Sequence, residues 1–294
     1  MIDQRPILFS GVRPSGKITL GNYIGTIRHW SSMQDDYQSL YCIADLHALT
    51  TFNKRDKITD SVLDMIALYL SCGINPDKSI IFIQSHVHYH CQLNWILNSF
   101  VHFGELKRMN QFKSYYNAKK ISNIGVFNYP VLMASDILLY KTNIVPIGED
   151  QKQHLELVRR IAKRFNSVNG NIFTIPKPLI NKHGSKIMSL LDPSQKMSKS
   201  DHNINNVIFL LEDHASVFLK IKNAKTDSEK PSKIYYDVLR KPGISNLLEI
   251  LSAVTKKDIT VLEKELDGIV YAEFKNIVAE ELCMFLSHLQ RSYR

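Results

Sequence analysis

Short apolar runs alternate with amphipathic stretches through the first half of this chain. The stretch Ser61–Leu70 has a helical period of apolar residues, and so has the stretch from Leu155 to Phe165. Strands that alternate with helices usually pair in parallel, so we predict an α/β fold with a Rossmann-like parallel sheet. The candidate strands are Pro6–Gly11, Leu40–Ala44, Ser79–Gln84 and Asn143–Ile147.

The pattern changes in the second half of the chain. Residues 166 to about 182 are rich in Asn, Gly and Pro, and we expect them to form a loop that closes the sheet domain. Beyond Asp201 the apolar residues follow a helical period. We therefore predict a catalytic domain at 1–195, with a helical insertion at about 86–140, and a smaller all-helical domain at 196–294.

The composition is that of a globular protein with a basic excess. Of the 294 residues, 44% are hydrophobic and 22% charged, and the formal net charge is +9. The first 195 residues carry +8 of this charge and the remainder carries +1, which favours a polyanionic partner for the first part. The four cysteines show no metal-binding spacing and no apolar run is long enough to span a membrane, so we expect a cytoplasmic protein.

A glycine-containing turn follows the first apolar run. The stretch G-V-R-P-S-G-K-I-T, Gly11 to Thr19, is close to a phosphate-binding P-loop. A P-loop needs Ser or Thr after the lysine as a Mg²⁺ ligand, but Ile18 stands there, and Pro14 lacks a backbone N–H. The P-loop interpretation is therefore weakened.

A second stretch, Lys196-Met197-Ser198-Lys199-Ser200, lies in the loop after Asp192-Pro193. Two lysines three residues apart suit a clamp on a pyrophosphate leaving group, although many such stretches are only solvated basic loops. This stretch matches letter for letter the KMSKS signature of class I aminoacyl-tRNA synthetases. Thr19-Leu20-Gly21-Asn22 resembles the HIGH element of that class, in the T-x-G-N form of the tryptophanyl enzymes, and Pro14-Ser15-Gly16 resembles the turn before it.

A third stretch, Tyr129 to Tyr140, resembles the amino-acid-binding helix of bacterial tryptophanyl-tRNA synthetases. The resemblance implies that Asp136 accepts a hydrogen bond from the indole N–H of tryptophan, an acceptor-only role that suits a carboxylate. A structural alternative is that Ser135 or Asp136 caps a following helix. The resemblance implies that the other tryptophan-binding residues are Phe9, Gly11, His47, Tyr129, Met133, Val145 and Ile147.

The run Gly148-Glu149-Asp150-Gln151-Lys152-Gln153-His154 is similar to the G-E-D-Q-x-x-H run of the same family. Acidic residues at the start of a helix are otherwise common caps. The resemblance implies that Thr19 and Asn22, with Lys196 and Lys199, are catalytic. It implies an ATP site formed by Arg13, Pro14, Ser15, Gly21, Asn22, Gly148, Glu149, Asp150, Ile187, Lys196, Met197, Ser198, Lys199 and Ser200.

The resemblance implies a reaction and its partners. The chain would activate L-tryptophan with ATP, which carries Mg²⁺, and transfer the acyl group to tRNA(Trp). The family members are homodimers without a membrane association, and their helical domain reads the anticodon. We expect no protein metal site: His86, His88 and His90 alternate, but no carboxylate or cysteine pattern supports a metal there.

Two departures and two alternatives accompany the resemblance. The family often has a lysine where this chain has Tyr115, and it usually continues beyond the position of Arg294, so that activity, stability or tRNA affinity would be affected. One alternative is a tyrosyl enzyme of the same fold, whose pocket would need a donor as well as an acceptor. The other is a non-catalytic RNA-binding relative, which has no need to retain both Lys196–Ser200 and Gly148–Asp150.

Overall fold

The computed structural model describes residues 4–14, 17–51, 58–119, 123–148, 151–180, 186–199 and 201–294. The chain forms two compact units. Unit 1 comprises residues 1–15, 32–67 and 74–182, and unit 2 comprises residues 16–31, 68–73 and 183–294. These units depart from the predicted limits at 195 and 196, because two early segments and residues 183–195 group with the C-terminal helices. The functional assignment of the two predicted domains stays a prediction.

Unit 1 contains a five-stranded sheet in which every pair of neighbouring strands is parallel. The strand order is β3-β2-β1-β4-β5. The predicted α/β class is confirmed, and the four predicted strands occur within two residues of their expected limits. The strands are β1 (Ile7–Val12), β2 (Gln38–Ile43), β3 (Ser79–Ile83), β4 (Ile144–Ile147) and β5 (Lys177–Ile180).

The predicted loop at 166–182 is wrong in two places. A helix continues to Asn169, and the edge strand β5 forms at Lys177–Ile180. Pro178, opposite Val145 of β4, cannot donate a backbone hydrogen bond. An edge strand has one neighbour only, so it tolerates this loss, whereas in the sequence the same proline argues against a strand.

Thirteen α-helices lie among the described residues, and α1 is joined to α2 by a π-helical turn at Tyr23–Ile27. They are α1 (Leu20–Asn22), α2 (Arg28–Met33), α3 (Asp45–Ala48), α4 (Ile58–Ser71), α5 (Tyr89–Asn98), α6 (Phe103–Lys107), α7 (Asn110–Lys119), α8 (Ile124–Leu138), α9 (Lys152–Asn169), α10 (His214–Lys222), α11 (Pro242–Thr255), α12 (Ile259–Glu265) and α13 (Tyr271–Tyr293). Helices α5 to α8 occupy the predicted insertion at about 86–140.

The core of unit 1 forms where α8 and α9 pack beside the sheet. Phe9 and Val145 contribute from β1 and β4, and both are buried. The predicted apolar face of α9 is buried as expected, with Phe165 partly covered. Since α8 belongs to this core, side chains on its buried face are held by packing on both neighbours. The buried members on the two helices are Val131, Ala134, Ile137, Leu138, Leu155, Leu157, Val158, Ile161 and Ala162.

The strand order places a switch point between β1 and β4. From β1 the sheet continues in one direction through β2 and β3, and in the other through β4 and β5. In open parallel sheets, ligands bind beyond the carboxyl ends of the strands at such a point. The carboxyl ends here carry Gly11 and Val12 on β1 and Ile147 on β4, with Gly148 directly after it.

The helices of unit 2 pack around α13, which contacts both α10 and α11. Their apolar faces follow the helical period and are buried, as predicted for α11 and α13. Gly243 in the first turn of α11 lies against the backbone: a Cβ added there would meet the Lys225 oxygen at 2.0 Å. The buried apolar residues include Val217, Ile221, Ile244, Leu247, Leu248, Leu251, Phe274, Val278, Leu282, Leu286 and Leu289.

Gly243→Ala should destabilise the protein by about 3 kcal/mol or more, because either α11 or the backbone at Lys225 must move to make room for the methyl group. Urea unfolding measures the change. The matched control is Gly104→Ala in α6, where the added Cβ would meet only the flexible end of Arg108 at 3.4 Å, and we expect a change within about 1 kcal/mol. Equal stability of the two variants would contradict the close approach at Gly243.

Candidate active site

Asp136 lies inside α8, near its carboxyl end, and is buried. The capping alternative is wrong, because α8 begins at Ile124 and the Asn123 side chain caps it by accepting from the Val126 N–H. Ser135 is also engaged within the helix, where its hydroxyl donates to the Val131 carbonyl. The position of Asp136 is therefore a property of the packed face of α8.

Three donors converge on the Asp136 carboxylate. Gln84, just after β3, donates from Nε2 to Oδ1 at 2.8 Å. His90 on α5 lies with Nδ1 2.7 Å from the same oxygen, and His47 on α3 lies with Nε2 2.7 Å from Oδ2. Burying a carboxylate costs free energy unless hydrogen-bond donors or opposite charges pair with it. The three donors supply that pairing for Asp136. Oδ1 accepts two hydrogen bonds and Oδ2 accepts one.

The carboxylate fixes which ring nitrogens carry protons. An ionised carboxylate only accepts, so the His90 Nδ1 and the His47 Nε2 must donate. The other nitrogen of His90, Nε2, lies 2.9 Å from the Tyr140 hydroxyl. A neutral His90 therefore accepts from Tyr140 and donates to Asp136, which gives the buried chain Tyr140, His90, Asp136 one consistent direction.

The pKa of Asp136 lies below its ordinary value. Burial alone would raise this pKa, but attraction and hydrogen bonds from His47 and His90 outweigh burial. The carboxyl group therefore stays ionised at neutral pH. Its pairing stabilises the fold at pH values above the unfolded-state pKa of about 4, and this contribution is lost as the pH falls through the lower folded-state pKa.

The other candidates for the amino-acid pocket lie on three elements of unit 1. Phe9 on β1 and Val145 on β4 are buried, whereas Met133 on α8 and Ile147 on β4 are partly covered. Gly11 is exposed near the end of β1. Phe9 stacks on Tyr140 with ring centroids 6.0 Å apart, so one apolar wall adjoins the polar chain that ends on Asp136.

Tyr129 lies on α8 one helical turn before Met133. Its hydroxyl donates to Gln111 Oε1 at 2.5 Å and lies 2.5 Å from His154 Nε2. Burial raises the pKa of Tyr129 to about 12, against a smaller opposing effect of Arg13. Tyr129 is therefore a neutral phenol held in place by α7 and α9.

The alternating histidines do not form an extended row. Gln84–His86 is a 3₁₀ turn, and His90 lies in α5. His86 and His88 are exposed whereas His90 is buried, so the three rings do not share one side. The described residues include no group of three or more His, Cys, Asp or Glu side chains placed to hold a metal ion.

Thr19 is the N-cap of α1. The Thr19 hydroxyl accepts from the Asn22 N–H at 3.1 Å and donates to Asn22 Oδ1 at 2.9 Å. The Thr19 N–H also donates to Asn22 Oδ1, at 3.3 Å. This capping box uses the only proton of the Thr19 hydroxyl and leaves the Asn22 Nδ2 donors outside the motif.

Gly21 brings α1 close to the Lys196–Ser200 stretch. A Cβ added at Gly21 would lie 3.6 Å from Cβ of both Ile187 and Met197. Both of those residues are buried. Unit 2 thus brings together the T-x-G-N element, Ile187 and the start of the KMSKS stretch, three parts that are far apart in the sequence.

A short antiparallel pairing presents the lysine stretch. Met188 and Lys196 form a bridge, and the Met197 N–H donates to the Ile187 carbonyl at 3.0 Å. The residue that anchors this pairing is not among the site residues predicted from the sequence. Asn246 on α11 accepts from the Met188 N–H at 2.7 Å and donates to the Met188 carbonyl at 3.0 Å. A buried asparagine within the apolar face of α11 is the signal that could have revealed it.

The remaining predicted ATP-site residues are distributed over both units. Arg13 and Pro14 follow β1, and Gly148 follows β4, all in unit 1. In unit 2, Lys196, Ser198 and Lys199 are exposed. Four further candidates lie outside the described residues, namely Ser15, Glu149, Asp150 and Ser200.

The basic cluster on α9 consists of Arg159, Arg160, Lys163 and Arg164, and the three arginines have partners within unit 1. Arg159 pairs with Glu156 and donates to the Pro176 carbonyl. Arg160 and Arg164 both pair with Glu105. Much of this positive charge therefore holds α6 and β5 to α9, and it gives little support to a polyanion-binding surface there.

Comparison with known proteins decides the family. The family model described as class I tRNA synthetases (W and Y) matches residues 2–287. A tryptophan–tRNA ligase of Buchnera aphidicola subsp. Schizaphis graminum is 67% identical, over all of this chain and 88% of that protein. The chain belongs to the bacterial tryptophanyl-tRNA synthetases. The predicted family and enzyme class are thereby confirmed.

Solved structures agree with this assignment to the tryptophanyl-tRNA synthetases. The enzyme of Mycoplasma pneumoniae is 34% identical with a TM-score of 0.85, covering 99% of this chain and 88% of that one. The enzyme of Campylobacter jejuni, complexed with ADP and tryptophan, is 32% identical with a TM-score of 0.82, covering 97% and 88%. Within the described part of the chain, no helix is long and apolar enough to cross a membrane.

Proposed function

We propose that this member of the family is a tryptophan–tRNA ligase, which activates L-tryptophan with ATP and esterifies tRNA(Trp). The observation that carries the proposal is the buried Asp136 carboxylate, on which all three neighbouring donors converge. The assembly of the T-x-G-N element with Ile187 and Met197 supports the ATP-dependent part.

Asp136 selects tryptophan by accepting the indole N–H. Among the described residues only His47 donates to Oδ2, so this oxygen retains acceptor capacity for one more donor. The His90 Nδ1 proton is bound to Oδ1, so His90 cannot also donate to a phenol oxygen, and one of the two Gln84 Nε2 protons is bound there as well. Phe9, Met133, Val145 and Ile147 supply the apolar surface, with Gly11, His47 and Tyr129 completing the pocket.

The first step is an in-line attack of the tryptophan carboxylate on the α-phosphorus of ATP. A bond forms between the carboxylate oxygen and phosphorus, the bond to the bridging oxygen breaks, and pyrophosphate leaves with Mg²⁺ that arrives on ATP. The carboxylate is already a nucleophile, so catalysis is positioning and charge stabilisation. Thr19, Gly21 and Asn22 position the nucleotide, and Lys196 and Lys199 stabilise the charge on pyrophosphate.

The second step transfers the acyl group to the tRNA. A hydroxyl of the 3′-terminal ribose attacks the carbonyl carbon of tryptophanyl-adenylate, and AMP leaves. The helical region at 196–294 reads the anticodon, and the low net charge of this region fits base contacts better than phosphate contacts. The reaction belongs to translation, and we place it in the cytoplasm.

The enzyme acts as a homodimer. The helical insertion of unit 1 exposes large apolar side chains, with Trp95 80% exposed and Phe103 70% exposed. Ile96, beside Trp95 on α5, and Ile124 at the start of α8 are exposed as well. Such side chains mark a surface that a second copy covers, and sedimentation equilibrium measures the oligomeric state.

The test of the proposal is exchange of labelled pyrophosphate into ATP, run with each of the twenty amino acids and without tRNA. We expect exchange with tryptophan alone, because the pocket offers an acceptor to an N–H donor. Exchange with tyrosine instead would overturn the pocket assignment and keep the mechanism. Absence of exchange from folded protein would overturn the proposal and favour the RNA-binding alternative.

Asp136→Asn should lower the preference for tryptophan over phenylalanine and tyrosine by roughly tenfold or more, since it removes a charged hydrogen-bond acceptor. Ratios of kcat/KM in the exchange assay measure the preference. The matched control is Asp77→Asn, which neutralises an exposed carboxylate of unit 1 and should leave the ratios unchanged. An unchanged preference in Asp136→Asn removes Asp136 from the assigned role.

Lys199→Ala should slow adenylate formation about a hundredfold and change tryptophan binding little, because the ammonium group acts on charge that develops as pyrophosphate leaves. Single-turnover kinetics give the first quantity and equilibrium titration with tryptophan gives the second. Lys222→Ala removes another exposed lysine of unit 2 and serves as the control. Equal effects on both quantities would show that Lys199 does not act on the transition state.

A further inference from the structure

The T-x-G-N element is built into the C-terminal part of unit 2 by a backbone ladder. The Leu20 N–H donates to the Ile208 carbonyl at 2.8 Å, and the Leu210 N–H donates to the Ile18 carbonyl at 3.0 Å. Thr19 lies opposite Phe209 between these two bonds. Any shift of the segment 207–212 therefore moves Thr19 and the start of α1.

Three side chains form hydrogen bonds with the backbone of the segment 207–212. Gln290 on α13 donates from Nε2 to the carbonyls of Leu210 and Glu212, each at 2.9 Å. Lys220 on α10 donates to the Val207 carbonyl at 2.8 Å and pairs with Glu212 Oε1 at 2.5 Å. The second oxygen of Glu212 accepts the Phe209 N–H at 3.1 Å.

The pair formed by Lys220 and Glu212 needs an explanation beyond stability. Lys220 is 5% exposed, and removing both charges from water costs free energy that their attraction often fails to recover. A buried ion pair of this kind instead fixes one conformation. Here its hydrogen bonds go to the backbone of the segment that pairs with Ile18 to Leu20.

We infer that Lys220, Glu212 and Gln290 are positioning residues for the ATP-binding element Thr19–Asn22. Helices α10 and α13 thus belong to the nucleotide-binding apparatus in addition to any role in reading tRNA. The inference rests on the proposed function, since it takes Thr19–Asn22 as part of the ATP site. None of the three side chains is assigned a contact with substrate.

Lys220→Met and Gln290→Leu test the inference. Both should raise the KM for ATP in the exchange assay, Lys220→Met by roughly tenfold and Gln290→Leu by about threefold or more, with the KM for tryptophan changed less than about twofold. Amide hydrogen exchange at Leu20 and Leu210 should be faster in both variants, because the ladder loses its support. Gln290→Leu keeps the buried ion pair and carries the test should Lys220→Met fail to fold.

Lys241→Met is the matched control. Lys241 is also a buried lysine of unit 2, 3% exposed, and it forms ion pairs with Asp227 and Glu229. These partners lie outside the segment 207–212 that pairs with Ile18 to Leu20. A purely structural role of Lys220 predicts that all three variants lose thermal stability and keep the wild-type KM for ATP. That result would overturn the inference, as would equal rises in KM for ATP and for tryptophan.

Equilibrium binding of ATP·Mg²⁺ separates this inference from the proposed function. Wild-type protein that binds ATP and exchanges pyrophosphate with tryptophan, together with variants that bind ATP with unchanged affinity, would overturn the positioning role alone. Wild-type protein that fails to bind ATP would overturn both. Weakened ATP binding in Lys220→Met and Gln290→Leu, with wild-type binding in Lys241→Met, supports the inference.

Discussion

The buried charge of Asp136 is the constraint on which the organisation of unit 1 around the amino-acid pocket depends. A carboxylate in an apolar core requires donors, and here the donors come from α3, from the end of β3 and from α5. Without the charge, the buried groups of Gln84 and His90 would lose their acceptor, at a cost comparable to the pairing itself. The Asp136 carboxylate therefore connects α3, the end of β3 and α5 to α8 through hydrogen bonds that the strand order alone does not require.

The same charge accounts for selectivity without any reactive group of the protein. Because each histidine gives its N–H to the carboxylate, and the carboxylate only accepts, Oδ2 favours a ligand that brings its own N–H. An indole does so and carries no buried acceptor that would stay unpaired. A phenol hydroxyl can donate to Oδ2, but neither histidine N–H is then left to pair with its oxygen, and an unpaired buried oxygen discriminates against the ligand that carries it.

The sequence predicts those parts of the fold that depend on local patterns of burial. Strands β1 to β4 and helices α4, α9, α11 and α13 follow from apolar periods because each buries one face or one run. Strand β5 escapes prediction because its four residues lie within a stretch rich in Asn, Gly and Pro, a composition that predicts a loop.

Long-range pairing is the part of the site that local patterns cannot give. The need of Asp136 for partners follows from its apolar surroundings, but Gln84, His90 and His47 lie 46 to 89 residues away, so only the fold selects them. The same holds for Asn246, whose side chain forms hydrogen bonds with the backbone of Met188, 58 residues before it in the sequence. The residues of the T-x-G-N and KMSKS elements indicate nucleotide binding when read in the sequence. Only the structure shows that the two elements are in contact, where Gly21 lies against Met197.

The two nucleotide elements of unit 2 differ in the precision that their chemistry demands. Thr19 and Asn22 offer neutral groups, and a neutral hydrogen bond weakens steeply with distance and angle. The Thr19 hydroxyl donates its only proton to Asn22 Oδ1, so Thr19 can meet ATP as an acceptor, and donation to ATP falls to Asn22 Nδ2 and to backbone next to Gly21. The charges of Lys196 and Lys199 act over a longer range and stay effective on an exposed loop. It follows that the neutral groups of Thr19 and Asn22 depend more closely on the ladder of Ile18 to Leu20 than the lysines depend on the pairing that Asn246 anchors.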